Sequence, residues 1–267
     1  MSDRMAARFA VLRDAKRTAL IPFVTAGDPL PAASVGLLHA LVDAGADLIE
    51  LGMPFSDPMA DGPVIQHADE RALRQHVGIA AILGWVREFR QDDRATPIVL
   101  MGYLNPLEIY GRARFAAEAA AAGVDGVLVV DCPLEEDATL APLRAAGLAR
   151  ILLVAPTTSA ARLARAAAAA EGYLYYVSFA GITGAAQLSA ADVAPHVAAL
   201  HRIAKVPVAV GFGIKGAAGA TAVAAFADAV VIGSALVTAL AGAVDAAAAC
   251  RRARAFLRPI RLALDQR

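Results

Sequence analysis

The 267-residue chain is short of several things at once. Its two cysteines, Cys132 and Cys250, stand far apart in no CxxC or Cys/His spacing. That argues against a disulfide framework or a zinc site and makes a reducing, cytosolic compartment the simplest expectation. Net charge is also missing, with 25 basic residues against 25 acidic. No basic run carries interleaved aromatics, so neither nucleic acid nor an anionic membrane is expected as a partner. Hydrophobic residues make up 58% of the chain, but much of this is alanine. No run of about 18 bulky apolar residues exists to span a bilayer. The opening "MSDRMAARFAVLRDAKRTAL" is charged throughout and lacks the apolar core of a signal peptide. No low-complexity linker interrupts the chain, and "VTAGDP" is not the G-x-G-x-x-G of a doubly wound dinucleotide fold.

What is present is a repeating alternation. Short apolar runs stand at Ala19 to Ala26, Asp47 to Gly52, Pro97 to Tyr103, Gly126 to Asp131, Arg150 to Ala155, Tyr173 to Ser178, Pro207 to Phe212 and Asp228 to Ser234. Most are continuous rather than alternating, which is the pattern of parallel strands covered on both faces. Between them lie segments such as "SVGLLHALVDAGA" and "PHVAALHRIA", apolar at helical spacing. Eight strands, each followed by a helix, close an α/β barrel of the (β/α)8 TIM type. The expectation is one such domain over residues 1–267, with an extra helix, "GPVIQHADERALRQH", after the second strand.

In this fold the chemistry sits where strands end and the following loops begin. Three acids fall there, in "ELGMPFSDPMADGPVIQ". Glu50 lies inside an apolar strand, where a carboxylate costs several kcal/mol unless paired or protonated. Barrel stability needs no acid at that position, so Glu50 is a candidate for chemistry rather than for an internal ion pair. Asp61 precedes Gly62-Pro63 and also suits a helix N-cap. Asp57, before Pro58, reads most simply as a turn residue. Two acids from one strand–loop unit can share a pocket, and burial can keep one protonated while the other is ionised.

A second signal is phosphate binding. Glycines cluster after the seventh strand, in "GFGIKG", and after the eighth, in "IGSAL". Barrels bind phosphate with backbone N–H groups of these two loops and a helix N-terminus. A third glycine-rich turn, "AGITGA", suits a lid. Phe23, Met101, Tyr103, Tyr175, Phe212 and Ile232 stand near strand ends, where each fits either the barrel core or the wall of a flat apolar pocket. No nucleophile triad or metal-ligand cluster is visible. The residues alone reach a barrel that binds a small phosphorylated ligand and does acid–base work with Glu50 and Asp61, and they do not name the substrate.

At "ELGMPFSDPMADGPVIQ" the chain resembles the tryptophan synthase α-subunit family. The resemblance continues through "IPFVTAGDP", "PIVLMGYLNP", "GITG", "PVAVGFGI" and "IGSALV", in order along nearly the whole chain. It implies retro-aldol cleavage of indole-3-glycerol phosphate to indole and glyceraldehyde 3-phosphate without a cofactor in this chain. Glu50 would move the protons, and Asp61 would hold the indole N–H. Gly184, Gly213, Gly233 and Ser234 would bind phosphate, and Thr183 would sit on a mobile loop that closes over Asp61. Phe23, Met101, Tyr103, Tyr175, Phe212 and Ile232 would line the indole pocket. Asp57, Pro58, Cys132 and Pro133 would face a pyridoxal-phosphate β subunit in a cytoplasmic αββα complex. The chain departs from the family at Phe179 and Ala180, at Cys132 and Leu134, and in the charge-poor stretch "KGAAGATAVAAFAD". None of these touches Glu50 or Asp61. A stand-alone lyase releasing free indole has the same acids and glycines. A non-catalytic phosphate-binding module would be expected to have lost one of the acids.

Overall fold

Each apolar run becomes a strand because its residues can be buried on both faces. The computed structural model describes residues 3–177, 189–211 and 213–266. Its strands are β1 Ala19–Thr25, β2 Ile49–Gly52, β3 Ile98–Gly102, β4 Gly126–Val129, β5 Ala149–Arg150, β6 Leu152–Val154, β7 Leu174–Val177, β8 Val208–Gly211 and β9 Ala229–Ile232. All pair in parallel, in the order β5-β4-β3-β2-β1-β9-β8-β7-β6. The two ends of that order, β5 and β6, are separated only by Ile151, whose N–H donates to Val127 O at 3.0 Å. They are the halves of the one strand expected from Arg150 to Ala155. Eight strand positions therefore run round a barrel, with helices outside it.

Side chains alternate between two apolar layers, as the two-residue strand period requires. Leu20, Leu51, Leu100, Val127, Val210 and Ile232 face the helices. Ile21, Val99, Leu128, Ile151, Ala209 and Val231 fill the barrel. The first helix, Asp3–Asp14, adds Met5, Phe9 and Leu12 to this inner layer. The Phe9 ring lies 6.2 Å from that of Tyr173, which leads from the packed end of the barrel toward the site.

Buried ion pairs gather near the strands' N-terminal ends. Asp47 Oδ2 accepts from Leu20 N at 2.9 Å and from Arg261 at 3.0 Å. Asp125 is held by Arg4 and Arg90, each at 2.9 Å. In barrels that face serves stability. The opposite face carries the extra pieces. After β2 the helix Pro63–Arg74 precedes the covering helix Ile79–Asp92, as expected. Further short helices, Leu104–Tyr110 after β3 and Ser234–Leu240 after β9, were not foreseen from the sequence.

Candidate active site

The register of β1 to β3 puts Phe23, Glu50 and Val99 side by side. Glu50 sits one residue from Leu51 of the helix-facing layer, so the strand period turns its side chain into the barrel. It is 1% exposed. Tyr173 O–H donates to Glu50 Oε1 at 2.5 Å, while Oε2 is buried without a hydrogen-bond partner. Burial dominates and the tyrosine opposes it only in part, so the carboxyl is pushed up to about 7. A carboxyl so placed can donate or accept a proton near neutrality.

Asp61 lies at the end of the loop that follows β2. Tyr103 O–H donates to Asp61 Oδ2 at 2.7 Å, and the same hydroxyl accepts from Ala60 N at 3.0 Å. Burial raises this carboxyl too, against the tyrosine hydrogen bond. The capping role open to Asp61 is not realised. The N-cap of Pro63–Arg74 is Gly62, with no side-chain cap hydrogen bond, and Asp61 is engaged by Tyr103 instead.

Phe23, Met101, Tyr103 and Asp61 line one small cavity with Gly52, Met53, Ile65 and Asp69. Its volume is about 10 Å³, room for little more than one water, so a flat bicyclic ligand enters only if these side chains part. Tyr175 lies inside the barrel against Gly211, where an added Cβ would come 2.2 Å from the tyrosine oxygen. Gly233 packs against Phe23 and caps the short helix beginning at Ser234. Gly213 has φ +58°, a left-handed conformation that glycine adopts without strain. Ile232 is a correction. Its side chain belongs to the layer facing the helices, and the neighbouring inward residue is Val231. The choice of Ile232 was off by one in a two-residue period. Thr183, Gly184 and Phe212 lie outside the described residues, as do Phe179 and Ala180.

The residues expected at a partner surface divide. Asp57 and Pro133 are exposed and Pro58 is half-buried. Cys132 is buried, its thiol donating to the Glu136 carbonyl at 3.8 Å, and Arg150 donates to the Cys132 and Pro133 carbonyls at 3.4 and 3.2 Å. A cavity of about 470 Å³ opens outside the barrel, between Phe55, Ser56, Asn105, Pro106 and Ile109. Neither Glu50 nor Asp61 lines it.

Two residues of the site escaped sequence reasoning. Tyr173 read as one more aromatic strand residue. Asp69 sits on a helix turn rich in charge, between His67 and Arg71, and nothing local distinguishes it from a solvated acid. It is nevertheless buried, with Thr25 Oγ1 at 3.2 Å from its Oδ1.

Among the described residues no His/Cys/Asp/Glu group is arranged to hold a metal ion, and no helix is long and apolar enough to cross a membrane. Residues 9–262 match the family model described as tryptophan synthase alpha chain. A tryptophan synthase alpha chain of Xylella fastidiosa (strain 9a5c) is 61% identical over 258 residues, 96% of each chain. One from Xanthomonas oryzae pv. oryzae (strain MAFF 311018) is 59% identical over 97% of each chain. Among solved structures, tryptophan synthase subunit alpha of Legionella pneumophila str. Paris superposes with a TM-score of 0.92 at 42% identity, over all of both chains. A chain of M. tuberculosis tryptophan synthase, in an open form with BRD0059 bound, gives 0.87 at 35% identity, covering 99% of this chain and 100% of that one.

Proposed function

This chain belongs to the tryptophan synthase alpha chain family, and on that premise we propose that Glu50 and Asp61 carry out the retro-aldol cleavage of indole-3-glycerol phosphate. The observation that carries the reading is the buried Glu50 carboxyl, with one oxygen held by Tyr173 and the other unpartnered. As an acid it gives its proton to C3 of the indole ring. The ring nitrogen then carries positive charge, and Asp61 accepts its N–H and offsets that charge. The bond from C3 to the glycerol carbon breaks, its electrons returning to the ring. The hydroxyl on that carbon becomes the aldehyde carbonyl, and Glu50, now a carboxylate, takes the hydroxyl proton. One proton leaves Glu50 and one returns, so the enzyme is restored and the products are indole and glyceraldehyde 3-phosphate. A group poised near neutrality suits both transfers.

Phe23, Met101, Tyr103 and Tyr175 form the apolar walls for the ring, and Gly213, Gly233 and Ser234 supply backbone N–H groups to the phosphate. Gly184, Phe212 and the closing residue Thr183 complete the site in this reading. The partner is a pyridoxal-phosphate β subunit in a cytoplasmic αββα complex. It docks on the rim around Asp57, Pro58 and Pro133, where Met59 and Ile109 are also exposed. The proton chemistry itself uses only the carboxyls of this chain.

The test is indole release from indole-3-glycerol phosphate by the purified chain, alone and with a tryptophan synthase β subunit. Slow release that rises about tenfold or more with the β subunit is the expected result. Fast release indifferent to the β subunit would remove the partner, and none in either condition would overturn the reaction.

A further inference from the structure

The helix Pro63–Arg74 carries an acid that the chemistry above does not use. Asp69 is 4% exposed, while His67, Glu70 and Arg74 of the same helix stand in solvent. Its immediate helical neighbours on the buried face, Ala68 and Ala72, show that packing there needs only small apolar residues. A buried acid costs stability unless its oxygens are satisfied, and those of Asp69 are satisfied in a particular way. Thr25 Oγ1, at the end of β1, donates to Oδ1 at 3.2 Å, and the Phe55 N–H makes a longer contact to Oδ2 at 3.5 Å.

No ion pair reaches Asp69 among the described residues. Arg71, the nearest cation along the helix, is committed to Asp28 through contacts of 2.7 and 3.1 Å. The charged and titratable groups around Asp69 are thus Asp61 on the loop, Asp28 after β1 and Tyr103 after β3. Burial, then the charge of Asp61, push the Asp69 carboxyl up to about 7.

Phe55 and Asp61 bound one loop. Its far end is tied by Tyr103, through Ala60 N and Asp61 Oδ2, and the Phe55 and Tyr103 rings lie 5.4 Å apart. Its near end is tied by Asp69, which lines the same small cavity as Asp61. We propose that Asp69 is a positioning residue of this site: it fastens the start of the acid-bearing loop to the end of β1, so that Asp61 meets the ring N–H of the substrate at a fixed place. The inference rests on the retro-aldol reading above and names the residue that holds its second carboxylate in register.

The experiment is steady-state cleavage of indole-3-glycerol phosphate by the chain with a saturating β subunit, for wild type, Asp69→Ala, Asp69→Asn, Thr25→Val and Glu50→Gln. Asp69→Ala strips the loop of its anchor, loosens Asp61 from the ring N–H whose charge it offsets, and should lower kcat/KM about tenfold. Asp69→Asn keeps a carbonyl oxygen to accept a hydrogen bond and should bring kcat/KM back to within about threefold of wild type. Thr25→Val, which removes one of the two donors, should fall between them, and these two variants carry the test if Asp69→Ala does not fold. A wild-type kcat/KM in Asp69→Ala, or Asp69→Asn no better than Asp69→Ala, would each overturn the proposal. If the wild type releases no indole, the reaction assignment fails. If wild type is active, Glu50→Gln is dead and Asp69→Ala matches wild type, only the positioning role fails.

Discussion

Glu50 and Asp61 are held by the same device in two different regions, and the proposed reaction asks something different of each. Each carboxyl accepts a hydrogen bond from a tyrosine hydroxyl, Tyr173 for Glu50 and Tyr103 for Asp61. Each is raised by burial, with its tyrosine pulling the other way. Glu50 belongs to a strand whose neighbours on both sides fix it, and one of its oxygens has no partner. Asp61 belongs to a loop, and Tyr103 also binds the Ala60 amide, so the tyrosine fixes backbone and acid together. A rigid, desolvated acid with a spare oxygen suits proton transfer. An acid on a loop tied at its ends suits holding a ring whose charge changes during the reaction. In the proposed reaction the same hydrogen bond would serve reactivity in the strand and placement in the loop.

The sharpest way to break the comparison is to remove each acid in turn. Glu50→Gln keeps the shape and removes the titratable proton, so indole release should fall by about 10³-fold, the range of general acid–base contributions, with substrate binding largely kept. Near-normal turnover would show that the strand acid does not move the proton. Asp61→Ala should cost less, about 10²-fold, because what it loses is stabilisation of charge on the ring. Its unfolding free energy should stay within about 0.5 kcal/mol of wild type in urea titrations, because Asp61 caps no helix. A larger loss, comparable with removal of an N-cap, would return the capping role to it.

The capping role left open for Asp61 marks what local sequence carries. Asp-Gly-Pro before an amphipathic run is a sound helix start, and the helix does begin at Pro63. What the three residues cannot encode is Tyr103, 42 positions later, which takes the side chain away from the helix. The barrel was legible for the opposite reason. Burial on both faces of every strand writes itself as continuous apolar runs, and all eight runs became strands. The break at Ile151 was hidden because an apolar run looks the same whether or not its pairing passes from one neighbour to the next. Ile232 failed because a continuous run carries no alternation from which to read the inward face, whereas Glu50 stood out as the one charge in its strand. Asp69 and Tyr173 were invisible because their roles exist only through contacts with Thr25, Phe55 and Glu50 made by the closed sheet.

The smallest expected effect is thermodynamic, and it separates the two acids by burial rather than by chemistry. The ordinary Glu value of 4.5 rises to about 7 in the folded chain. Below pH 4.5 both states hold the proton, so Glu50 does not penalise folding there. As pH rises toward 7 the unfolded chain releases its proton while the folded chain retains it, and the native state loses ground. Above pH 7 the loss is complete and levels off. Glu50→Gln has no such proton, so relative to wild type it should gain on the order of 3 kcal/mol between pH 4.5 and 8 in urea titrations. Asp61→Asn should gain in the same direction but less, since Asp61 is only half-buried and water screens part of the cost of its charge. Equal gains would mean that strand and loop desolvate their acids alike. A loss of stability in Glu50→Gln on going from pH 4.5 to pH 8, relative to wild type, would mean that the folded chain ionises Glu50 more readily than the unfolded chain, and the acid that starts the reaction would have to be sought elsewhere.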